Sequence, residues 1–415
     1  MSESLQLFIE LMNSRNLHEV GTALDDYAQA QVGGQLSDLP FRYLGGRENN
    51  RGPVEVMESV ENAAYEKIMN GYDALIELRQ HLGGFATSPT NAAQALAEIG
   101  DDLNEPGVYL ITSKAHTRTG SVGQPKKRSN VVVVDEGVGI RPEDFHNTIM
   151  SLEGSNKLTN PLMAGSYGFG GSAIYRYSSF TIIWSRSVHK PDVIGFTVVY
   201  QKFGSGVRYP SYVYLVDPDG EILNFNVADL PSEMVIGPSA ITTQNIIETS
   251  RLIPIPQHGT GIKVFELENF AASPRIYSFL RDRGFGMPVP CRFRNGVEKG
   301  GSGDQDVDDE IETEADEEVG QRGSTRRLYN ATGLRLSLND PASRKAYKIA
   351  FHQPPIGIMP GGDRAQATLE CWVLERADRN TKVARESEPV IESVLGKERR
   401  NTPCYVTLNG MTQEN

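Results

Sequence analysis

Four consecutive valines at residues 131–134, followed directly by Asp135, constrain the fold of this chain more than any other segment. An unbroken run of β-branched residues is typical of a strand that is buried on both faces within a sheet. The carboxylate after it is fixed at the edge of a core, close to Gly137 and Gly139. Asp135 can accept a hydrogen bond from an exocyclic amine such as that of adenine, and the glycines allow a flat ring to approach the backbone. Asp and Gly are also ordinary turn residues after a strand.

The periodicity of the remaining chain predicts helices and a mostly antiparallel sheet. Residues 5–30 and 54–82 have the spacing of apolar side chains that is typical of helices. Short β-branched and aromatic runs bounded by turns predict strands at residues 108–112, 131–134, 180–185, 193–200, 212–216 and 261–265. Helices followed by such strands indicate an α+β sandwich.

The acidic charge of the chain is concentrated in one segment. Residues 304–318 hold ten carboxylates and no basic residue, so the rest of the chain carries about −2 of the formal net charge of −12. The overall acidity therefore says little about partners, and nucleic-acid binding stays open. Because residues 300–324 have almost no apolar side chains, we expect a disordered loop there.

The sequence shows no signal for export or for membrane insertion. No run approaches the roughly 18 apolar residues of a membrane helix, and the N-terminus lacks the basic and apolar segments of a signal peptide. The three cysteines, Cys291, Cys371 and Cys404, lack the paired spacing of a zinc site or a disulfide framework. We therefore expect a cytoplasmic protein with no membrane partner.

Three polar residues of the second helical region, Glu66, Asn70 and Asp73, recur at positions i, i+4 and i+7. This spacing places them on one face of a helix. Apolar residues occupy the other side, so the helix can pack on a sheet while it directs two carboxylates and an amide to a common point. A solvated polar face is the alternative for this segment taken alone.

A glycine-rich segment precedes a helical pattern that reaches Tyr175. Exposed amides before a helix suit phosphate oxygens. The segment lacks the GxxxxGK(S/T) of a P-loop and does not follow a strand in a βαβ unit, as a dinucleotide fingerprint requires. A flexible loop without a ligand is the alternative. The candidate phosphate contacts are Gly165, Ser166, Tyr167, Gly168, Phe169, Gly170, Gly171 and Ser172.

Two further segments complete the candidate site. Ser155, Asn156 and Lys157 belong to a short polar loop between the two glycine segments, where it can fold over a bound phosphate as a lid. Thr260 stands at the start of a predicted strand, where its hydroxyl can share the adenine with Asp135.

The motifs ExxxNxxDA, DxGxG, GxxGxGG and GTG, in this order between about residues 54 and 265, resemble the four ATP-site motifs of the GHKL superfamily. Its members include gyrase-type topoisomerases, MutL mismatch-repair proteins, ninety-kilodalton heat-shock chaperones, sensor histidine kinases and MORC ATPases. The lid segment is similar to that of the MORC and heat-shock ATPases, which favours a MORC-like prokaryotic subgroup. MORC proteins usually carry GFK where this chain has Gly171 and Ser172.

The resemblance implies a role for each polar residue. Glu66 would be the general base for the attacking water, Asn70 a Mg²⁺ ligand, Asp73 a polar support and Asp135 the adenine reader. It also implies Mg²⁺-dependent ATP hydrolysis that drives lid closure and dimerisation of two copies of the chain. The expected setting is an anti-phage or DNA-processing system, with nucleic acid or an effector protein as a further partner.

The resemblance also implies the architecture. Residues 51–270 would form a Bergerat-type α/β sandwich that binds ATP, after an N-terminal helical segment at residues 1–50. Residues 271–415 would form a smaller transducer domain resembling ribosomal protein S5, interrupted by the acidic loop at residues 300–324. Such transducers usually direct a lysine to the γ-phosphate, and Lys345, Lys348 and Lys397 are candidates.

Other functions stay open. Histidine-kinase-type phosphotransfer would need a helix pair with a phosphoacceptor histidine, which we do not find before the site. A chaperone would need a long client-binding domain, for which there is little room after residue 265. A catalytically silent nucleotide-binding scaffold is the third alternative, although Glu66 and Asn70 together favour hydrolysis. The sequence ends directly after a predicted strand, as a fragment of a longer protein would.

Overall fold

The computed structural model describes residues 1–55, 59–100, 106–114, 128–152, 162–163, 170–203, 209–231, 255–268, 270, 280, 291–295, 328–331, 346–351, 355–358, 364–366, 369–374, 407–408 and 411–412. The chain divides into two compact units. The first comprises Met1–Phe279 and Pro288–Ala331, and the second comprises Leu280–Met287 and Thr332–Asn415. The motifs that carry the candidate site all belong to the first unit.

The described α-helices are α1 (Glu3–Asn13), α2 (Leu17–Val32), α3 (Arg51–Val54), α4 (Val60–His81) and α5 (Ala92–Ile99). The helical region predicted at residues 5–30 is confirmed as two helices, α1 and α2, and the one predicted at residues 54–82 is confirmed over Val60–His81 as α4. Asn16 separates α1 and α2 because its side chain accepts the main-chain N–H of Glu19 and so caps the start of α2. Short 3₁₀ helices occupy Leu36–Asp38, Leu44–Gly46, Pro142–Asn147, Gly170–Tyr177 and Val227–Asp229.

The first unit contains a ten-stranded mixed sheet. Its strands are β1 (Phe41–Tyr43), β2 (Val108–Lys114), β3 (Arg128–Asp135), β4 (Phe180–Ser187), β5 (Lys190–Lys202), β6 (Ser211–Leu215), β7 (Leu223–Asn226), β8 (Gly259–Glu268), β9 (Cys291–Asn295) and β10 (Leu328–Ala331). Their order is β1-β6-β5-β4-β8-β3-β2-β9-β10, and β7 pairs with β5. Only the pairing of β2 with β9 is parallel among these described strands. This mixture of helices and sheet is compatible with the predicted α+β class.

Strand β3 lies inside the sheet, as the valine run predicts. It pairs with β2 on one side and with β8 on the other, so that Val133 lies opposite Leu110 and Ile262. All four valines are buried. The strand needs no polar face because helices cover both faces of the sheet at this point.

Helices α1 and α2 cover one face of the sheet. Phe8 of α1 and Leu24 of α2 share a core with Trp184 of β4 and Phe196 of β5, and the ring centroids of Phe8 and Phe196 are 5.2 Å apart. Residues 1–50, predicted as a separate helical segment, therefore contribute helices to the main core of the first unit.

A buried lysine of the sheet fixes the end of α1. The Lys263 amino group of β8 donates to the carbonyl oxygens of Met12 and Ser14, at 2.7 Å each. Burial lowers the pKa of Lys263 to about 7, so the contacts of its amino group with α1 are hydrogen bonds that need no positive charge. Strand β8, which contains the predicted adenine contact Thr260, thus also holds the C-terminal end of α1.

Helix α4 packs on the other face of the sheet. The residues predicted to face the sheet are all buried: Ala64, Ile68, Tyr72 and Leu75. None of the described helices is long and apolar enough to cross a membrane.

The sheet of the first unit continues beyond residue 270 through β9 and β10. Both strands lie within residues 271–415, which were predicted to form the second domain. The acidic segment at residues 300–324 lies outside the described residues. In the second unit, β11 (Ala346–Phe351) pairs with β14 (Leu369–Leu374), β12 (Pro355–Ile358) with β13 (Arg364–Gln366), and β15 (Thr407–Leu408) with β16 (Met411–Thr412).

Candidate functional site

The carboxyl group of Asp135 lies buried at the end of β3. Its Oδ1 atom accepts hydrogen bonds from the main-chain N–H groups of Gly137, at 2.9 Å, and Thr260, at 3.2 Å. Its Oδ2 atom has no hydrogen-bond partner among the residues that the structure describes. One oxygen therefore fixes the orientation of the carboxyl group, and the other is left to accept a hydrogen bond from a ligand.

Burial raises the pKa of Asp135 to about 7, because desolvation disfavours the ionised form. The hydrogen bonds from Gly137 and Thr260 act in the opposite direction, while the nearby carboxylates of Glu136 and Glu77 raise the pKa further. A donor placed at Oδ2 would favour the ionised form. The carboxyl group of Asp135 therefore changes its protonation state near neutral pH.

The predicted site glycines Gly137 and Gly139 are needed by the backbone of the protein itself. A Cβ atom on Gly137 would lie 2.3 Å from the Cβ atom of Ala74 in α4. Gly139 has a φ of 66°, and a Cβ atom there would lie 2.0 Å from the carbonyl oxygen of Arg186. Both positions must be glycine because neighbouring elements occupy the space. Their predicted contact with a flat ring stays a prediction.

Helix α4 contacts the Asp135 end of the sheet. Gly71 lies so close to β3 that a Cβ atom would be 3.1 Å from the Cβ atom of Asp135, and the carbonyl oxygen of Ala74 accepts from Val138 N, at 3.1 Å. On the same helix, Glu66 and Asn70 are half-buried, and Asp73 is buried. The helix and the adenine candidate, predicted from separate motifs, are therefore neighbours in the fold.

The described end of the phosphate loop meets the Mg²⁺-ligand candidate. A Cβ atom on Gly171 would lie 3.3 Å from Nδ2 of Asn70. Gly171 and the buried Ser172 belong to the 3₁₀ helix Gly170–Tyr177. The same helix packs on α4 through Tyr175, whose hydroxyl lies 3.5 Å from Nζ of Lys67. This places main-chain amides of the glycine motif beside the polar face of α4.

Thr260 contributes its main-chain N–H as well as its side chain. Its amide binds Asp135, and its Oγ1 lies 2.9 Å from Oγ of Ser185, which is opposite Thr260 in the ladder of β4 and β8. Ser185 also accepts a hydrogen bond from Ile140 N, at 2.7 Å. Ser185 was not predicted from the sequence, because only the register of two strands distant in sequence brings it next to Thr260.

Glu136, the neighbour of Asp135, was also not predicted as a candidate residue. Its buried carboxylate pairs with Arg292 of β9. The available signal was strand alternation, since consecutive residues point to opposite faces and one of the two carboxylates had to enter a core. The partner in β9 carried no signal in the sequence.

Several predicted residues cannot be placed. The lid residues Ser155, Asn156 and Lys157, and the loop residues Gly165, Ser166, Tyr167, Gly168 and Phe169, lie outside the described residues, and of Gly170 only the backbone is described. Lys345 and Lys397 also lie outside them, and Lys348 belongs to β11 of the second unit.

Neither a comparison with protein-family models nor one with curated proteins gave a match to this chain. The geometry around Asp135 and the order of the motifs are therefore the grounds for assigning a function.

Proposed function

We propose that the first unit binds ATP with Mg²⁺ and hydrolyses it, as an ATPase of the GHKL type built on a Bergerat sandwich. The observation that carries the proposal is the buried carboxyl group of Asp135. Two main-chain donors hold Oδ1, and Oδ2 has no partner among the described residues. Such a group accepts one hydrogen bond from a fixed direction, as recognition of the adenine amine requires.

The same geometry discriminates between purine bases. Adenine presents an amine donor at position 6, whereas guanine presents a carbonyl oxygen there. A carbonyl facing the ionised carboxylate of Asp135 would leave two buried acceptors opposed, which costs free energy instead of gaining it. An ionised Asp135 would therefore favour the binding of adenine nucleotides over guanine nucleotides.

The polar face of α4 supports hydrolysis. Glu66 precedes Asn70 by about one helical turn, so its carboxylate can orient and deprotonate a water without reaching Asp135. Asn70 offers an amide oxygen of the kind that Mg²⁺ accepts, and its position beside Gly171 fits a metal at the phosphate end of the site. When bound, the ion would neutralise charge on the phosphoryl oxygens.

Magnesium sites of this kind do not need a cluster of protein ligands. The described residues hold no group of three or more His, Cys, Asp or Glu that could bind a metal ion. Mg²⁺ usually keeps several waters and is bound by one or two side chains together with the substrate phosphates. A single amide oxygen from Asn70 is compatible with that mode.

The remaining parts of the proposal depend on the family resemblance. The lid with Lys157 would close over ATP, two copies of the chain would associate, and hydrolysis would release them. A MORC-like role in anti-phage defence or DNA processing, acting on nucleic acid or on an effector protein, is the corresponding biological setting.

A nucleotide-binding module without hydrolysis is the second candidate. Asp135 is the candidate residue whose contacts the structure describes most fully. Its proposed role is in nucleotide binding and not in the attack of water on the γ-phosphate. Binding and turnover must therefore be measured separately. Chaperone-like activity and histidine-kinase-type phosphotransfer gain no support from any described contact.

Titration calorimetry with ATP and Mg²⁺ tests the proposal. Asp135→Asn should lower ATP affinity by about tenfold or more, because the amide can keep both main-chain bonds through its oxygen but turns an NH₂ group toward the adenine amine. The matched control is Asp144→Asn, which changes a half-exposed carboxylate that pairs with Arg141. Equal ATP affinity in the parent and in a folded Asp135→Asn protein would refute the adenine assignment.

A further inference from the structure

A buried ion pair lies directly behind the candidate adenine site. The side chains of Arg292 and Glu136 are 3% and 5% exposed, and Arg292 Nη1 lies 3.8 Å from Glu136 Oε2. The same oxygen accepts hydrogen bonds from Gly107 N, at 2.9 Å, and from the Tyr109 hydroxyl, at 3.1 Å. Arg292 also donates to the Tyr109 hydroxyl. A buried charge is costly unless it is paired and hydrogen-bonded, and here both charges are.

This cluster and the adenine candidate share one peptide unit. Consecutive side chains of a strand point to opposite faces of the sheet. Val134 and Tyr109 belong to the core under α1 and α2, whereas Asp135 lies against α4. Glu136 therefore anchors the chain on the face opposite the one where Asp135 would meet a nucleotide.

The peptide unit between Asp135 and Glu136 is confined from both sides. Glu136 N donates to the carbonyl oxygen of Gly107, at 3.0 Å. A Cβ atom on Gly107 would lie 2.5 Å from Nη1 of Arg292, so a larger residue at this position would require the guanidinium group to move. On the other side, a Cβ atom on Gly259 would lie 1.9 Å from the carbonyl oxygen of Asp135.

We propose that Arg292 is a positioning residue for adenine recognition: through Glu136 it fixes the peptide unit that directs the Asp135 carboxyl group toward the amine. The inference rests on the proposed function. Loss of Arg292 would leave Glu136 as a buried carboxylate without its cation, next to a second carboxylate. Rotation of the peptide unit would bring the Glu136 carboxylate into water and so remove the cost of its burial. The same rotation would turn Asp135 away from the ligand.

One measurement distinguishes a positioning role for Arg292 from a purely structural one. It is the ratio of affinities for a nucleotide with the 6-amine and for one without it. ATP and purine riboside triphosphate differ only in that amine, since the second nucleotide keeps the ring, the sugar and the phosphates. The parent should bind ATP about tenfold more tightly than the analogue, in the range for one well-placed hydrogen bond to a charged group. In Arg292→Met this ratio should fall toward one, while affinity for the analogue stays within about twofold.

Two further variants keep the test valid if Arg292→Met folds poorly. Arg292→Lys keeps the cation and should keep most of the preference for ATP. The double variant Glu136→Gln with Arg292→Met leaves no unpaired charge, because the new amide is neutral while its oxygen can still accept from Gly107 and Tyr109. Thermal unfolding of each variant reports folding. The double variant should show an ATP preference between those of Arg292→Met and the parent, because its neutral hydrogen bonds hold the peptide unit less firmly than the charged pair does.

The outcomes separate the two proposals. A parent that prefers ATP, together with folded Arg292→Met and double variants that keep the full preference, refutes the positioning role alone. Equal losses for both nucleotides refute it as well, because a structural pair predicts them. A parent that binds ATP and the analogue equally refutes adenine reading by Asp135, and the inference is refuted with it.

Discussion

Gly71 of α4 faces Asp135 of β3 so closely that a Cβ atom at residue 71 would lie 3.1 Å from the Cβ atom of Asp135 and 2.9 Å from Cγ2 of Val108. The approach of the helix to the sheet thus depends on a missing side chain. It also determines how far the polar face of α4 stands from the adenine candidate.

Gly71→Ala should destabilise the first unit and weaken ATP binding. In an open helix the same change stabilises by roughly 1 kcal/mol, but here the new methyl group would force α4 away from β3, at a cost of about 1–3 kcal/mol. Gly21→Ala in α2 is the matched control, because a Cβ atom there would meet nothing within 4 Å. Denaturant unfolding should show opposite signs for the two variants. Stabilisation by both would show that α4 is not held against the strand by this contact.

The affinity for ATP should rise with pH between about 6 and 8. The pKa of Asp135 is about 7 in the folded protein, and a bound amine favours the ionised form, so protonation competes with ATP below that pH. The slope should approach tenfold per pH unit on the acid side of this window and vanish on the alkaline side. Calorimetry in matched buffers measures it, after correction with free ATP for its own protonation. A flat profile would mean that Asp135 does not accept from the base.

The same carboxyl group should make folding stability fall as pH rises, whereas ATP affinity should rise with pH. Its folded pKa of about 7 exceeds the ordinary value of 3.8, so between these pH values the folded state binds more protons than the unfolded state. The contribution of Asp135 to stability therefore falls as pH rises from about 4 to 7. At pH 8, Asp135→Asn should be more stable than the parent by about 1–3 kcal/mol, while at pH 5 the difference should shrink. Equal pH dependence in both proteins would contradict the assignment.

The effect of Mg²⁺ on ATP binding should require Asn70. Asn70→Ala removes the amide oxygen that we assign to Mg²⁺, so ATP binding should lose the part that a chelator removes from the parent. Asn62→Ala, which changes an amide two turns earlier in the same helix, is the control. Titrations with Mg²⁺ and with a chelator give the comparison. An Asn70→Ala protein whose ATP affinity still falls fully on chelation would remove Asn70 from the metal site.

Turnover and binding should separate at Glu66. Glu66→Gln should lower ATP hydrolysis by about 10²-fold or more, as expected for a lost general base, with little change in ATP affinity. If ATP closes the lid and pairs two copies of the chain, this variant should accumulate as an ATP-bound dimer. Light scattering with ATP, ADP and no nucleotide measures the mass. Parent-like turnover would remove the catalytic role, and an inactive variant that stays monomeric with ATP would remove the dimerisation switch only.

Local patterns of the sequence predicted the long helices and six strands of the first unit, but not α5, β1, β7, β9 or β10. Four valines before Asp135 predicted a buried strand, and the spacing of Glu66, Asn70 and Asp73 predicted a helix with one polar face. Both signals are local, because the period of a strand or a helix is set within a few residues.

Only the tertiary structure decided how those residues meet and what holds them. Ser185 reaches Thr260 through the register of β4 and β8, and Arg292 reaches Glu136 through β9, more than 150 residues along the chain. These contacts join segments distant in sequence, and no local period encodes which strands become neighbours or where their side chains coincide. The position of Asp135 at the end of a buried strand therefore follows from local sequence, whereas its pKa and its orientation depend on the folded chain around it.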